Sequence, residues 1–167
     1  MTLGEINAMS EDRFVAALGG IFEHSPWIAQ RAFIDRPFAS VEALHASMVA
    51  AVERASETAK LKLLRAHPEL AGKAAVRGEL TADSKQEQSG AGLAQCTPQE
   101  FARLTELNAR YNARFGFPFI LAVKGYDRAG IIGEFERRVR HDRAAELEEC
   151  LAQVARIARY RLEALFS

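Results

Sequence analysis

Two short stretches, His67-Pro68-Glu69-Leu70 and Ser84-Lys85-Gln86-Glu87-Gln88, set an imidazole beside a compact group of acid, amide and hydroxyl side chains. Pro68 disfavours α geometry at the residue before it, so a helix must end just ahead of His67. The imidazole then faces whatever the following elements enclose, and it can give or take a proton near neutral pH. Ser84, Glu87 and Gln88 fall at i, i+3 and i+4 and so share one face of a helix. The opposite face carries Lys85, Gln86 and Ser89, leaving no apolar side for docking. Such a helix is either solvated or one wall of a site. Gly90, Ala91 and Gly92 continue it with residues small enough for close approach of a ligand or neighbouring backbone.

A third group lies near the C-terminus. Leu147, Leu151, Val154, Ala158 and Leu165 form an apolar helical seam on which Arg161 is the one charge. A buried guanidinium requires a carboxylate partner or an anionic ligand. A structural pairing with Glu87 and an anion-binding role are both open. Asn108, set among Phe101, Leu104, Tyr111 and Phe115, reads as a structural hydrogen-bonding residue. His24, His45 and His141 have no chemical company and read as helix or surface residues. There is no H-E-x-x-H, Gly-rich phosphate loop or G-x-S-x-G elbow. Nor do companions at ligand spacing surround His67, so no metal is expected. What remains is a cofactor-free acid/base site using His67, Glu87 and Arg161, and the spacing does not name its reaction.

The elements that must position these groups are helical. Phe14, Ala17, Leu18 and Ile21 make one stripe. Ser25-Pro26 reads as an N-cap with Pro at N1, and Ser40 and Ser56 as caps of the next two helices. Residues 71 to 80 read as a loop. Thr81 or Asp83 starts the polar helix, and Thr97-Pro98-Gln99-Glu100 predicts a capping box. Asp127 and Asp142 open the last two helices. Phe117 to Val123 suits a buried strand by composition, but nothing else in the chain could pair with it, so a buried connector is expected. The expectation is one all-α domain over 1–167, a bundle of roughly eight helices without significant sheet.

Composition narrows the function classes. Lys+Arg and Asp+Glu balance at 22 each, so no basic stripe exists for a nucleic acid. The Arg137-Arg138-Val139-Arg140 run, flanked by acids, reads as a solvated helix end. Hydrophobic residues make up 49% of the chain, which excludes a disordered protein. Cys96 and Cys150 have no ligand spacing and suggest a reducing interior. The N-terminus lacks a secretory pattern and the longest apolar run is too short to span a membrane. A cytoplasmic protein without membrane contact is expected.

Together the segments resemble the 2-oxo-4-hydroxy-4-carboxy-5-ureidoimidazoline (OHCU) decarboxylase family of urate degradation. The likeness is carried by Phe22-Glu23-His24-Ser25-Pro26-Trp27, His67 through Lys73, Gly78-Glu79-Leu80-Thr81, Ser84 through Gln88 and Ala91-Gly92-Leu93. It continues through Leu107-Asn108, Tyr111, Arg114 through Ile120, Lys124-Gly125, Arg156-Ile157-Ala158 and Arg161-Leu162, in order along nearly the whole chain. The resemblance implies an all-α fold, a homodimer, no cofactor, and stereospecific decarboxylation of a small ureidoimidazoline to (S)-allantoin. It implies His67 as the catalytic histidine. It also implies a substrate site lined by Pro68, Ser84, Glu87, Gln88, Phe119, Ile120, Leu121, Ala122, Val123 and Arg161. The competing class is a non-catalytic helical module that holds a purine-derived ureide or a protein partner.

Overall fold

Side-chain caps fix where most of the helices begin. Thr2 accepts from the Glu5 amide ahead of α1 (Leu3–Ala8), and Ser10 from Arg13 ahead of α2 (Glu11–Leu18). Ser40 caps α4 (Val41–Glu53), Thr81 caps α7 (Ala82–Gly90), and Thr97 with Glu100 closes a full capping box on α8 (Pro98–Phe115). Asp127 accepts from Gly130 at the start of α9 (Arg128–Arg138). Ser56 and Asp142 cap α5 (Glu57–Ala66) and α10 (Arg143–Phe166) in the same way. Each such bond satisfies an amide that the helix itself leaves orphaned. The computed structural model describes residues 1–167 and contains no strand, so the protein is all-α.

Four details depart from the pattern expected of the sequence. Residues 3–8 form a helix of their own, and Lys73–Val76 form a four-residue α6 inside the stretch read as loop. Pro26 rather than Ser25 is the N-cap of α3 (Trp27–Phe33), with no side-chain cap, because the Ser25 hydroxyl donates to the Glu23 carbonyl instead. A single 3-10 turn, Leu93–Gln95, follows Gly92, whose φ of 79° is left-handed.

The chain resolves into two compact units, Met1–Ala66 with Ala155–Ser167, and His67–Val154. In the first, Phe14, Leu18, Ile28, Leu44 and Met48 are fully buried, each such side chain contributing about 1.5–3 kcal/mol by leaving water. Phe14 meets Phe33 edge-on at 5.5 Å, and the Arg36 guanidinium lies 3.5 Å over the Phe33 ring. Arg36 also donates to the Asn7 and Met9 carbonyls, tying the end of α1 to the turn after α3. His45 bonds the Ala155 carbonyl at 2.7 Å.

In the second unit α8 supplies the core. Leu104, Leu107, Tyr111 and Phe115 repeat at helical spacing and are buried. The Tyr111 ring touches Phe115, Phe117, Phe119 and Phe135. Gly116, at φ 78°, turns the chain out of α8 into residues 117–123; glycine alone enters that conformation without steric cost. Residues 117–123 are all buried and belong to no regular element, the connector that the lack of a pairing strand predicts.

Candidate active site

His67 follows directly on α5 and is only 8% exposed. The turn behind it, residues 68–71, is pinned from α7 and α8. The Ala71 amide donates to Gln88 Oε1 at 3.0 Å, and Gln88 Nε2 donates to the Glu69 carbonyl at 3.3 Å. Asn108 Nδ2 donates to the Leu70 carbonyl at 3.0 Å, and Asn112 Nδ2 to Glu69 Oε1 at 2.6 Å. Ala71 sits at φ +50°, a left-handed backbone that costs a non-glycine residue about 1 kcal/mol or more. These contacts from α7 and α8 over-determine the turn and hold it there. The backbone leaving the His67-Pro68 step is therefore held at three successive residues.

Ser84 and Gln88 form the buried stripe of α7, with Glu87 half-buried beside them, while Lys85, Gln86 and Ser89 are exposed. Of the two readings open for this helix, the solvated one does not hold: its polar stripe faces inward. Gln88 uses its carbonyl and one N–H on backbone, which leaves the amide one further N–H and one lone pair for other contacts. Asn108 has the structural bond expected of it through Nδ2, but its buried Oδ1 has no hydrogen-bond partner. A cleft of about 510 Å³ borders α7 between Val76, Leu80, Lys85 and Phe101, and Gln88 is the only expected site residue on its lining.

Residues 119–123 are held from α9 and α10. Arg138 donates to the Ile120 carbonyl at 2.6 Å and stacks 4.4 Å over the Phe119 ring, and Gln153 Oε1 accepts from the Ala122 amide at 3.0 Å. Arg138 is fully buried. The reading of residues 137–140 as a solvated helix end is thus wrong at this position, although Arg137 and Arg140 are exposed. Arg138 pairs with the equally buried Glu146 at 2.9 Å. Tyr111 donates to the same carboxylate at 2.6 Å, and His141 Nδ1 lies 3.0 Å from its other oxygen. His141 therefore does have chemical company.

Arg161 belongs to the other unit and is 7% exposed. Its carboxylate partner there is Glu23, at 2.9 Å, itself 2% exposed, and it donates to the Gly20 and Ile21 carbonyls. Glu23 lies within a stretch that carried the family likeness, yet nothing in its spacing marked it as this partner. The seam of α10 matches the expected one at Val154, Ala158 and Arg161 and departs from it at the leucines. Glu146, Cys150, Gln153, Ile157, Ala158 and Arg161 are buried, whereas Leu147, Leu151 and Leu165 are half-exposed.

Burial pushes the Cys150 thiol up, and its Tyr111 hydrogen bond and the Arg138 charge only partly oppose this. Burial first, then the Glu100 charge, raises Cys96 against the pull of Arg128. Since the thiolate is the reacting form, a raised pKa slows alkylation at neutral pH. Iodoacetamide on the native chain at pH 7 is expected to modify half-buried Cys96 slowly and Cys150 only after denaturation. Peptide mass spectrometry reads this directly, and rapid native labelling of Cys150 contradicts the packing.

Comparison with known proteins fits this geometry to a family. Residues 7–163 match the family described as OHCU decarboxylase. A 2-oxo-4-hydroxy-4-carboxy-5-ureidoimidazoline decarboxylase of Haloferax volcanii is 43% identical over 167 residues, covering 100% of this chain and 97% of that protein. A putative enzyme of the same name from Homo sapiens is 41% identical over 97% of this chain and 94% of its own length. Among solved structures, an (S)-allantoin synthase superposes with a TM-score of 0.80 at 30% identity, over 99% of this chain and 54% of that one.

Proposed function

The chain belongs to the OHCU decarboxylase family, and from that premise we propose that it removes carbon dioxide from 2-oxo-4-hydroxy-4-carboxy-5-ureidoimidazoline to leave (S)-allantoin, with His67 as the acid/base group. The observation that carries the assignment of His67 is its placement: a buried imidazole on a turn clamped by Gln88, Asn108 and Asn112. Pro68, Ser84, Glu87, Gln88, the 119–123 segment and Arg161 complete the proposed substrate site.

The substrate carries a carboxylate and a hydroxyl on one ring carbon, next to a C=N carbon that bears the ureido group. When the carbon–carboxylate bond breaks, its electron pair passes into the adjacent C=N, so the substrate supplies its own electron sink. The ring nitrogen that receives the pair takes up one proton; the resulting enol takes a second on one face of the ureido carbon, and its hydroxyl loses one to become the carbonyl of allantoin. The protein has to hold the carboxylate out of the ring plane and deliver one proton to one face. His67 would move that proton. Arg161, whose planar fork suits oxygen anions, would hold a substrate oxygen. Glu87 and the remaining capacity of Gln88 suit the donor-rich ureido group, with Ser84 and backbone of the 119–123 segment completing the orientation.

A coupled assay for carbon dioxide and product chirality tests the proposal. Freshly generated substrate should give (S)-allantoin faster than its spontaneous decay. Binding without acceleration would instead support the helical module. Glu87→Gln is expected to keep its melting temperature and lose kcat/KM; lost stability with intact turnover would make Glu87 structural. The same reading takes 1–167 as one catalytic domain working as a homodimer in the cytoplasm. Light scattering on the purified chain checks the dimer.

A further inference from the structure

A buried, irregular segment must find partners for its peptide groups outside any helix or sheet. Ile120 and Ala122 find them in side chains, while the Val123 carbonyl accepts from the Tyr126 amide. Arg138 NH1 donates to the Ile120 carbonyl and Gln153 Oε1 accepts from the Ala122 amide, so the peptide groups on both sides of Leu121 are bound to the interior. Leu121 itself makes no backbone–backbone hydrogen bond. The anchors are in turn fixed. Glu146 holds the Arg138 guanidinium through Nε, Cys150 Sγ accepts from its NH2, and Gln153 donates to Glu149 at 2.9 Å. Phe119, beneath the guanidinium, stacks on Phe135 at 3.9 Å.

We infer that Arg138 and Gln153 are positioning residues for the decarboxylation: from α9 and α10 they set the backbone of 119–123 so that the Leu121 peptide groups are presented to the substrate. The inference rests on the reading that 119–123 lines the substrate site. A guanidinium is suited to this work because one planar group reaches a backbone carbonyl, a carboxylate and a sulfur at once. The burial of an Arg–Glu pair needs a use of this kind, since an apolar pair of similar volume often packs as stably.

The test compares the full-length wild type with R138M/E146L, which removes both buried charges together, with Q153M, and with E149Q/Q153E. The last keeps an acceptor for the Ala122 amide and reverses the donor of the Gln153–Glu149 pair. R138M/E146L and Q153M should stay folded by circular dichroism, exchange the amides of 119–123 faster, and raise KM by about tenfold. The change in kcat should be smaller, the (S) excess of the product should fall, and E149Q/Q153E should recover most of the KM loss. Wild-type KM and chirality in folded R138M/E146L and Q153M overturn the inference. If R138M/E146L does not fold, the glutamine pair decides: a KM shared by wild type, Q153M and E149Q/Q153E overturns it. A wild-type chain that releases no carbon dioxide sinks the proposed activity itself, and is recognised before any variant is compared.

Discussion

His67→Ala is expected to yield a folded protein whose decarboxylation is slower by ~100-fold or more, the usual cost of losing a positioned acid/base group. Folding should survive because the turn that carries His67 is held by other residues. Gln88, Asn108 and Asn112 bond residues 69–71, and none of those bonds uses the imidazole. The loss should appear in kcat more than in KM, because proton transfer is needed in the transition state and not for binding. Product still formed by the variant should approach the racemate, since uncatalysed protonation has no preferred face. Full-rate production of (S)-allantoin by a folded His67→Ala protein would remove His67 from the chemistry. Lost activity with a collapsed melting transition would make it a packing residue.

How far the site could be read from the sequence follows from the physics of each part. Helix starts were legible because a cap is a local event: Thr97 with Glu100, Ser40 and Asp127 all act within three residues of themselves. The inward face of α7 was legible as a set of residues but not as a buried one, since an all-polar helix has no amphipathic signature. Glu23 as the partner of Arg161 was not legible at all, because the pair is far apart in sequence and only the fold brings it together. The burial of Arg138 is legible from its helical spacing. Ile131, Phe135 and Arg138 step at four and three, so the helical period that buries the two apolar residues buries the arginine too. The basic run around it hid the periodicity. On α10 the leucines at 147, 151 and 165 suggest the seam, yet Glu146, Cys150 and Gln153 share it with Val154 and Ala158. A polar network inside a core inverts the rule that apolar positions mark the buried stripe.

Arg138→Met alone should be the most damaging single substitution for stability. It leaves Glu146, fully buried, without its guanidinium, and removes the donor to the Ile120 carbonyl. Breaking a buried pair from one side typically costs about 3–5 kcal/mol, most of it from stranding the remaining charge. Tyr111 and His141 still contact Glu146 and can recover a small part of that cost. Tyr111 offers only a neutral phenol, because burial, reinforced by Cys150 and Glu146, raises its pKa far above the ordinary value. Urea denaturation of Arg138→Met should therefore give a much lower midpoint than wild type. Adding Glu146→Leu should restore most of the difference, since no buried charge is then left unpaired. A double variant as unstable as Arg138→Met would place the cost in lost packing around Phe119 and the Ile120 carbonyl, not in the stranded carboxylate.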